Sequence, residues 1–192
     1  RTMNPIYLDH NATTPVDPAV LEAMLPYLAE HFGNPSSQHA YGRRAHEAVE
    51  HARVQLARLL AAQPDEIVFT SGGTEATNYA IKGAAFAALE RGQRDLQVVI
   101  SAVEHPATQE TAAFVERLGF KRTVIGVDRH GVVDLDAMER ALRAPTLVVS
   151  VMHANNETGS LQPVAEIARL AHDRGALMHV DAAQSAGKIR VD

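Results

Sequence analysis

Four short stretches carry the residues most able to do chemistry: "SGGTEATN" (71–78), "AVEHP" (102–106), "HANNETG" (153–159) and "DAAQS" (181–185). The first couples two glycines to a helical pattern, so backbone amides at a helix start can approach a ligand closely and favour an anion, most simply a phosphate. It is neither a Walker loop, since no GK[ST] follows, nor a GxGxxG turn. The other three supply an imidazole, His105; side-chain amides, Asn155 or Asn156 and Gln184; and a carboxylate, Asp181. A buried carboxylate is costly without a cation or several donors, although a helix cap or local ion pair would also satisfy it.

The elements that position these residues follow from the pattern of apolar runs. "EIVFT" (66–70), "QVVIS" (97–101), "RTVIGV" (122–127), "LVVSVM" (147–152) and "ALMHV" (176–180) are rich in Val and Ile without polar alternation. They are predicted as strands buried on both faces of a parallel or mixed sheet. Between them, "TEATNYAIKGAAFAALERG", "HPATQETAAFVERLG", "DLDAMERALR" and "PVAEIARLAHDRG" have apolar residues at helical spacing, predicting helices over both sheet faces. Gly92, Gly119 and Gly175 stand where helices end in a left-handed residue, and Asp134 where one begins. Upstream, a long helix is predicted from about Gln38 to Ala61, and an earlier one from Pro18 to His31 that Pro26 bends or divides.

No internal repeat, linker or low-complexity tract interrupts the chain, which reads as one layered βαβ unit. Ligands of open α/β sheets bind beyond the carboxyl ends of the strands, and all four polar stretches follow an apolar run. Thr74, His105, Asn155 or Asn156, and Asp181 with Gln184 are therefore expected along one sheet edge. An anion cup, a carboxylate for a ring nitrogen, a flat group and amide donors are what a phosphorylated pyridine needs, and pyridoxal 5'-phosphate fits that set.

Composition narrows the class. A chain of 192 residues, 46% hydrophobic and 21% charged, is long enough for one domain with a substantial core. A formal net charge of -5 disfavours nucleic-acid and anionic-membrane roles, leaving a small molecule as the expected partner. No apolar stretch is long enough for a membrane span, and the amino terminus lacks a signal-peptide core, so the expected setting is cytoplasmic. Arg1 and Thr2 before Met3 read as an added segment, with Met3 the natural start. The absence of cysteine excludes disulfides and thiolate metal sites. Among ten histidines, His39, His46 and His51 miss the i, i+4 spacing of a two-histidine metal face, so no metal site is expected. His153 and His179 flank strand ends and either line the site or pack, packing being the preferred reading; Glu104 is read as either an orienter of His105 or a surface charge, and Arg43 and Arg44 as exposed helix charges.

"YLDHNATTPVDPAV", "FGNPSSQHAYGRRAHEAVEHAR", "EIVFTSGGTEATN", "VEHPA", "HANNETG" and "HVDAAQSAGK" resemble, in order, the NifS/IscS-type cysteine desulfurases of the class V aminotransferase group. The resemblance implies an α/β fold: part of the large domain of the pyridoxal-phosphate-dependent transferases (aspartate aminotransferase-like, fold type I), a mostly parallel sheet with flanking helices. It implies that Gly73 and Thr74 hold the cofactor phosphate and that His105 stacks on the ring and assists proton transfer. It further implies that Asn156 and Gln184 meet the phenolic oxygen and that Asp181 pairs with the pyridinium nitrogen. The implied enzyme is a homodimer that removes sulfur from L-cysteine, releases L-alanine and passes the sulfur to an acceptor protein such as an iron–sulfur scaffold.

In that family the anchoring lysine follows a further strand and the persulfide-forming cysteine comes later still. Residues 1–192 thus resemble an amino-terminal segment plus most of the cofactor-binding large domain, with the small carboxyl-terminal domain absent. Lys82, Lys121 and Lys188 do not stand in the family's lysine motif, so the chain alone is expected to be inactive. Alternatives are a selenocysteine lyase or another class V enzyme, a non-catalytic half-length scaffold or subunit, and a plain dinucleotide-binding module; the last leaves Asp181 and His105 without a task.

Overall fold

The computed structural model describes residues 5–190. The expectation for Arg1, Thr2 and Met3 lies outside the described residues. The chain divides into two compact units, the first ending at Phe69 and the second beginning at Thr70.

In the first unit α1 runs from Pro18 to Ala29. Asp17 caps it, Oδ1 accepting from the Ala19 amide at 2.8 Å, and Pro18 opens it, where a missing N–H costs nothing. The helix continues through Pro26, so of the two expectations there, a bend or a division, the division does not occur. After it, α2 covers Ala40–Leu59 and begins at His39, whose Nδ1 accepts from the Gly42 amide at 3.3 Å. Gly42 is required there: a Cβ would lie 2.1 Å from the Ser37 carbonyl oxygen. His39, His46 and His51 are exposed, as are Arg43 and Arg44.

The run 66–70 departs from its expected strand. A 3-10 turn occupies Pro64–Glu66, its Gln63 amide donating to the Glu66 carboxylate at 2.7 Å, and residues 67–70 follow without strand pairing. β-branched composition favours extended backbone, but a strand also needs a ladder partner, and among the described residues none pairs with it.

The second unit is a parallel α/β sandwich. Its helices and strands alternate: α3 (Gly73–Glu90), β1 (Gln97–Ser101), α4 (Pro106–Arg117), β2 (Lys121–Ile125), α5 (Leu135–Ala141), β3 (Thr146–Ser150), α6 (Val164–His172) and β4 (Leu177–His179). The sheet order is β2-β1-β3-β4, with every pairing parallel. β1 is buried throughout because its alternate side chains feed two cores. Val98 and Ile100 pack with Val148 against Ile81 and Ala85 of α3 and Ala112 and Val115 of α4. Val99 and Val149 face Met138 of α5 and Ile167 of α6. The edge strands β2 and β4 are more exposed, so continuous burial holds for the central pair. Gly92, Gly119 and Gly175 have φ of 73°, 101° and 72°, the left-handed conformation expected at the helix ends. Asp134 caps α5 through its bond from the Ala137 amide, 2.9 Å.

The amino ends of the strands are closed by side chains. Gln97 Nε2 donates to the Ala141 carbonyl at 2.8 Å and to Thr146 Oγ1 at 2.9 Å, and its Oε1 accepts from Thr123 Oγ1 at 2.7 Å. One buried amide therefore joins β1, β2, β3 and the end of α5. Met138, fully buried between α5 and the sheet, is the best single test of this core. Met138→Ala is expected to cost about 2–5 kcal/mol, read as a lowered denaturant midpoint with an unchanged slope.

Candidate functional site

Parallel strands end together, so whatever follows β1, β3 and β4 emerges on one edge of the sheet. Three hydrogen bonds tie these ends to one another. Glu104, after β1, accepts from the Met152 amide, after β3, at 2.9 Å. Asn155 Nδ2 donates to the Val103 carbonyl at 3.2 Å. The His153 amide donates to the Asp181 carbonyl, after β4, at 2.9 Å. His105, Asn156, Asp181 and Gln184 are thus carried on loops stitched together.

The two asparagines left open by their spacing have different work. Asn155 is buried, and its Oδ1 accepts from the Glu157 and Thr158 amides, both at 2.9 Å, while Nδ2 spans to Val103. Its polar atoms are spent on the loop; Asn156, the residue that the family resemblance implies as the ligand contact, is half-buried. His105 is exposed and begins α4, with Nδ1 accepting from the Ala107 amide at 3.1 Å. That bond fixes the tautomer: the neutral ring carries its hydrogen on Nε2. Asp181 is half-buried, and its Oδ1 accepts from the Ala183 amide at 3.0 Å, a local cap of the kind weighed from sequence.

Gly73 and Thr74 sit apart from these bonds, in the first turn of α3, a helix held to the sheet through Ile81, Ala85 and Ala88. Gly72, at its N-cap, offers no side-chain acceptor to that turn, and a Cβ built on Gly72 or Gly73 meets nothing within 4 Å. A helix start whose first turn has no side-chain cap suits an anion. Beside them Glu75 accepts from both the amide (2.7 Å) and hydroxyl of Ser71, which hold its carboxyl below the usual range.

Glu104 is the residue that sequence reading underweighted. It is 3% exposed, so the surface-charge alternative is excluded. Oε1 takes Ser101 Oγ at 2.5 Å as well as the Met152 amide, whereas Oε2 is buried without a hydrogen-bond partner among the described residues. Nothing local in the sequence signals this, because Met152 lies far along the chain. His153 and His179, expected to line the site or to pack, are half-buried and held by serines: Nδ1 of His153 meets Ser185 Oγ at 3.0 Å, and Nδ1 of His179 meets Ser150 Oγ at 2.8 Å. Burial lowers the pKa of His179, and Asp181 partly opposes this. Lys188 Nζ donates to Gln184 Oε1 at 3.1 Å, while Lys82 lies over the Phe114 ring and Lys121 opens β2 at the opposite end of the sheet. Among the described residues no cluster of His, Asp or Glu could hold a metal ion, and no helix is long and apolar enough to cross a membrane.

An open parallel sheet whose polar side chains gather where the strands end defines an α/β ligand-binding protein. The sequence matches the aminotransferase class-V family over residues 6–192, and the chain belongs to that family. It is 48% identical over 187 residues to the cysteine desulfurase IscS of Dictyoglomus turgidum, covering 97% of this chain and 47% of that protein. To the IscS of Dechloromonas aromatica it is 49% identical over 190 residues, covering 98% and 46%. Among solved structures, a NifS-like protein superposes with a TM-score of 0.89 at 40% identity, covering 96% of this chain and 50% of that one. SspA in complex with cysteine gives 0.91 at 38%, covering 97% and 53%. The chain spans about half the length of these relatives. The family is pyridoxal-phosphate-dependent, and the open helix start, carboxylate, imidazole and amides of this chain fit that cofactor.

Loop stitching makes a prediction. Asn155→Ala leaves the Val103 carbonyl and two amides without their partner and is expected to cost about 1–3 kcal/mol in denaturant unfolding.

Proposed function

We propose that this chain supplies the cofactor-holding part of a cysteine desulfurase, which takes sulfur from L-cysteine and leaves L-alanine. The supporting observation is the gathering of the candidate groups in one unit: an uncapped α3 start and three stitched strand ends. Identity of 48–49% to proteins named cysteine desulfurase, across nearly the whole chain, narrows the reading within the family.

Pyridoxal phosphate, when bound, supplies an electron-withdrawing ring that stabilises negative charge developing on the substrate. The Gly73 and Thr74 amides would hold its phosphate, the α3 dipole adding to the attraction. Asp181 would keep the ring nitrogen protonated, a fixed charge already in place when the reaction calls for it. Asn156 and Gln184 would orient the ring through its phenolic oxygen. His105 would lie on the ring, and the Ala107 amide on Nδ1 leaves Nε2 as the nitrogen that moves a proton. Glu104 and Asn155 would act through the loops, setting where His105 and Asn156 stand.

The chain has no cysteine to serve as a thiolate nucleophile, and Lys188 is engaged with Gln184, so we infer that these 192 residues alone bind the cofactor without turnover. The same reading carries a homodimer, a sulfur-acceptor protein such as an iron–sulfur scaffold, and a cytoplasmic setting; these rest on the resemblance to the desulfurases.

Titrating the chain with pyridoxal phosphate tests the proposal. Reversible binding is expected, weakened about 10–100-fold by Asp181→Ala, as for loss of a charge-assisted hydrogen bond. Borohydride treatment followed by peptide mass spectrometry should give no stoichiometric lysine adduct. A single adduct on Lys188 would overturn the inference of an inert chain, and undetectable binding would overturn the cofactor reading.

A further inference from the structure

Glu104 stands at the centre of the stitched strand ends, yet the desulfurase reading gives it no contact with cofactor or substrate. Its surroundings are lopsided. Both donors that reach it, the Ser101 hydroxyl and the Met152 amide, converge on Oε1, while Oε2 is buried without a hydrogen-bond partner among the described residues. A carboxylate spreads its charge over two oxygens and draws donors to both. A carboxylic acid has one strong acceptor, the carbonyl oxygen, and keeps its hydrogen on the other. Neither form finds a partner for Oε2, but a buried oxygen without a donor leaves an ion's charge unsolvated, a larger cost than the unpaired hydroxyl of the neutral acid.

The charges around it point the same way. Among the described residues no lysine or arginine is hydrogen-bonded to Glu104, whereas Asp181 repels its charge. His179, on β4, is engaged with Ser150, and His105, next in the chain, turns Nδ1 to the Ala107 amide. Gln109 of α4 donates to the Glu104 backbone carbonyl at 2.7 Å and not to its carboxyl.

We propose that Glu104 is a positioning residue held as the neutral acid in mildly acidic solution: Oε1 pins Ser101 and the Met152 amide, and Oε2 keeps the proton beside Asp181 where the strands end. The proposal rests on the cofactor reading only for the role of Asp181. Burial, first, and the charge of Asp181 raise the Glu104 pKa from 4.5 to about 7, against the opposing Ser101 and Met152 bonds. Two adjacent carboxylates would repel each other and disturb the loops carrying His105 and Asn156. A proton on Glu104 removes that repulsion and keeps both hydrogen bonds on Oε1.

The sign of the pH effect follows from linkage. Between 4.5 and about 7 the folded chain holds a proton at Glu104 that the unfolded chain has lost, so this residue's contribution to stability declines as pH rises through that window. His179, its pKa lowered by burial, contributes the opposite slope below 6.5. The useful quantity is therefore the difference between wild type and Glu104→Gln, in which His179 cancels.

The test follows the Glu104 side-chain carboxyl by carbon NMR in the wild-type chain, alongside unfolding of wild type, Glu104→Gln and Glu104→Ala from pH 5 to 8. The expected titration midpoint lies near 7. Glu104→Gln should match wild type near pH 5 and exceed it at pH 8, while Glu104→Ala, having lost the Oε1 acceptor, should be less stable throughout. At pH 6, Glu104→Gln should bind pyridoxal phosphate within about twofold of wild type, unlike Asp181→Ala. A midpoint below 5, or Glu104→Gln losing affinity as Asp181→Ala does, overturns the proposal. A wild-type chain that binds no pyridoxal phosphate sinks the cofactor reading instead; the NMR midpoint decides the proton on Glu104 by itself.

Discussion

The parallel alignment of β1, β3 and β4 is the constraint on which the rest of the second unit depends. In a parallel sheet the chain must return to the starting edge between strands, which it does here through helices, so each strand runs from a common amino edge to a common carboxyl edge. Covering both faces with helices buries β1 from end to end and leaves only apolar side chains in its middle, with Gln97 and Ser101 at its two ends. Polar groups are thereby confined to the edges. At the carboxyl edge they meet backbone amides and carbonyls that no longer have a ladder partner. Hydrogen bonds such as Met152 to Glu104 and Asn155 to Val103 serve both needs together.

Burial and chemistry are coupled at this edge because desolvation raises the stakes of every polar group. Asn155 and Ser185, both buried, are spent on holding loops; Asn156, Asp181 and Gln184 are half-buried, and His105 is exposed. A buried group has its partners chosen by the fold, whereas a partly open one retains room for a ligand. This gradient separates two adjacent asparagines that sequence spacing alone left equivalent.

The second unit was largely legible because two-sided burial writes an unbroken apolar run and helix ends write glycine and Asp134 into the sequence. The run 66–70 is similarly rich in β-branched and aromatic residues yet forms no strand, since composition reports an extended tendency but not the presence of a neighbour to pair with. Pro26, expected to bend or divide its helix, does not divide it: the helix continues past the missing donor. For the site, the strand-end rule located the loops, but the burial of Glu104 depends on an amide that follows β3, beyond the reach of any local pattern. The separation of the chain near Phe69 and Thr70 also left no mark in composition.

The Gln97 network gives the two edges of the sheet different mutational freedom. Five residues of β1 put about 16 Å between them, roughly twice the distance over which salt screens exposed charges at physiological ionic strength. Charged side chains at the amino edge, Arg94, Asp95 and Lys121, line a shallow depression there. Their signs could be exchanged with little electrostatic consequence at the carboxyl edge. The sheet therefore insulates its chemistry, letting one rim drift in charge to suit solubility or neighbours while the other stays fixed.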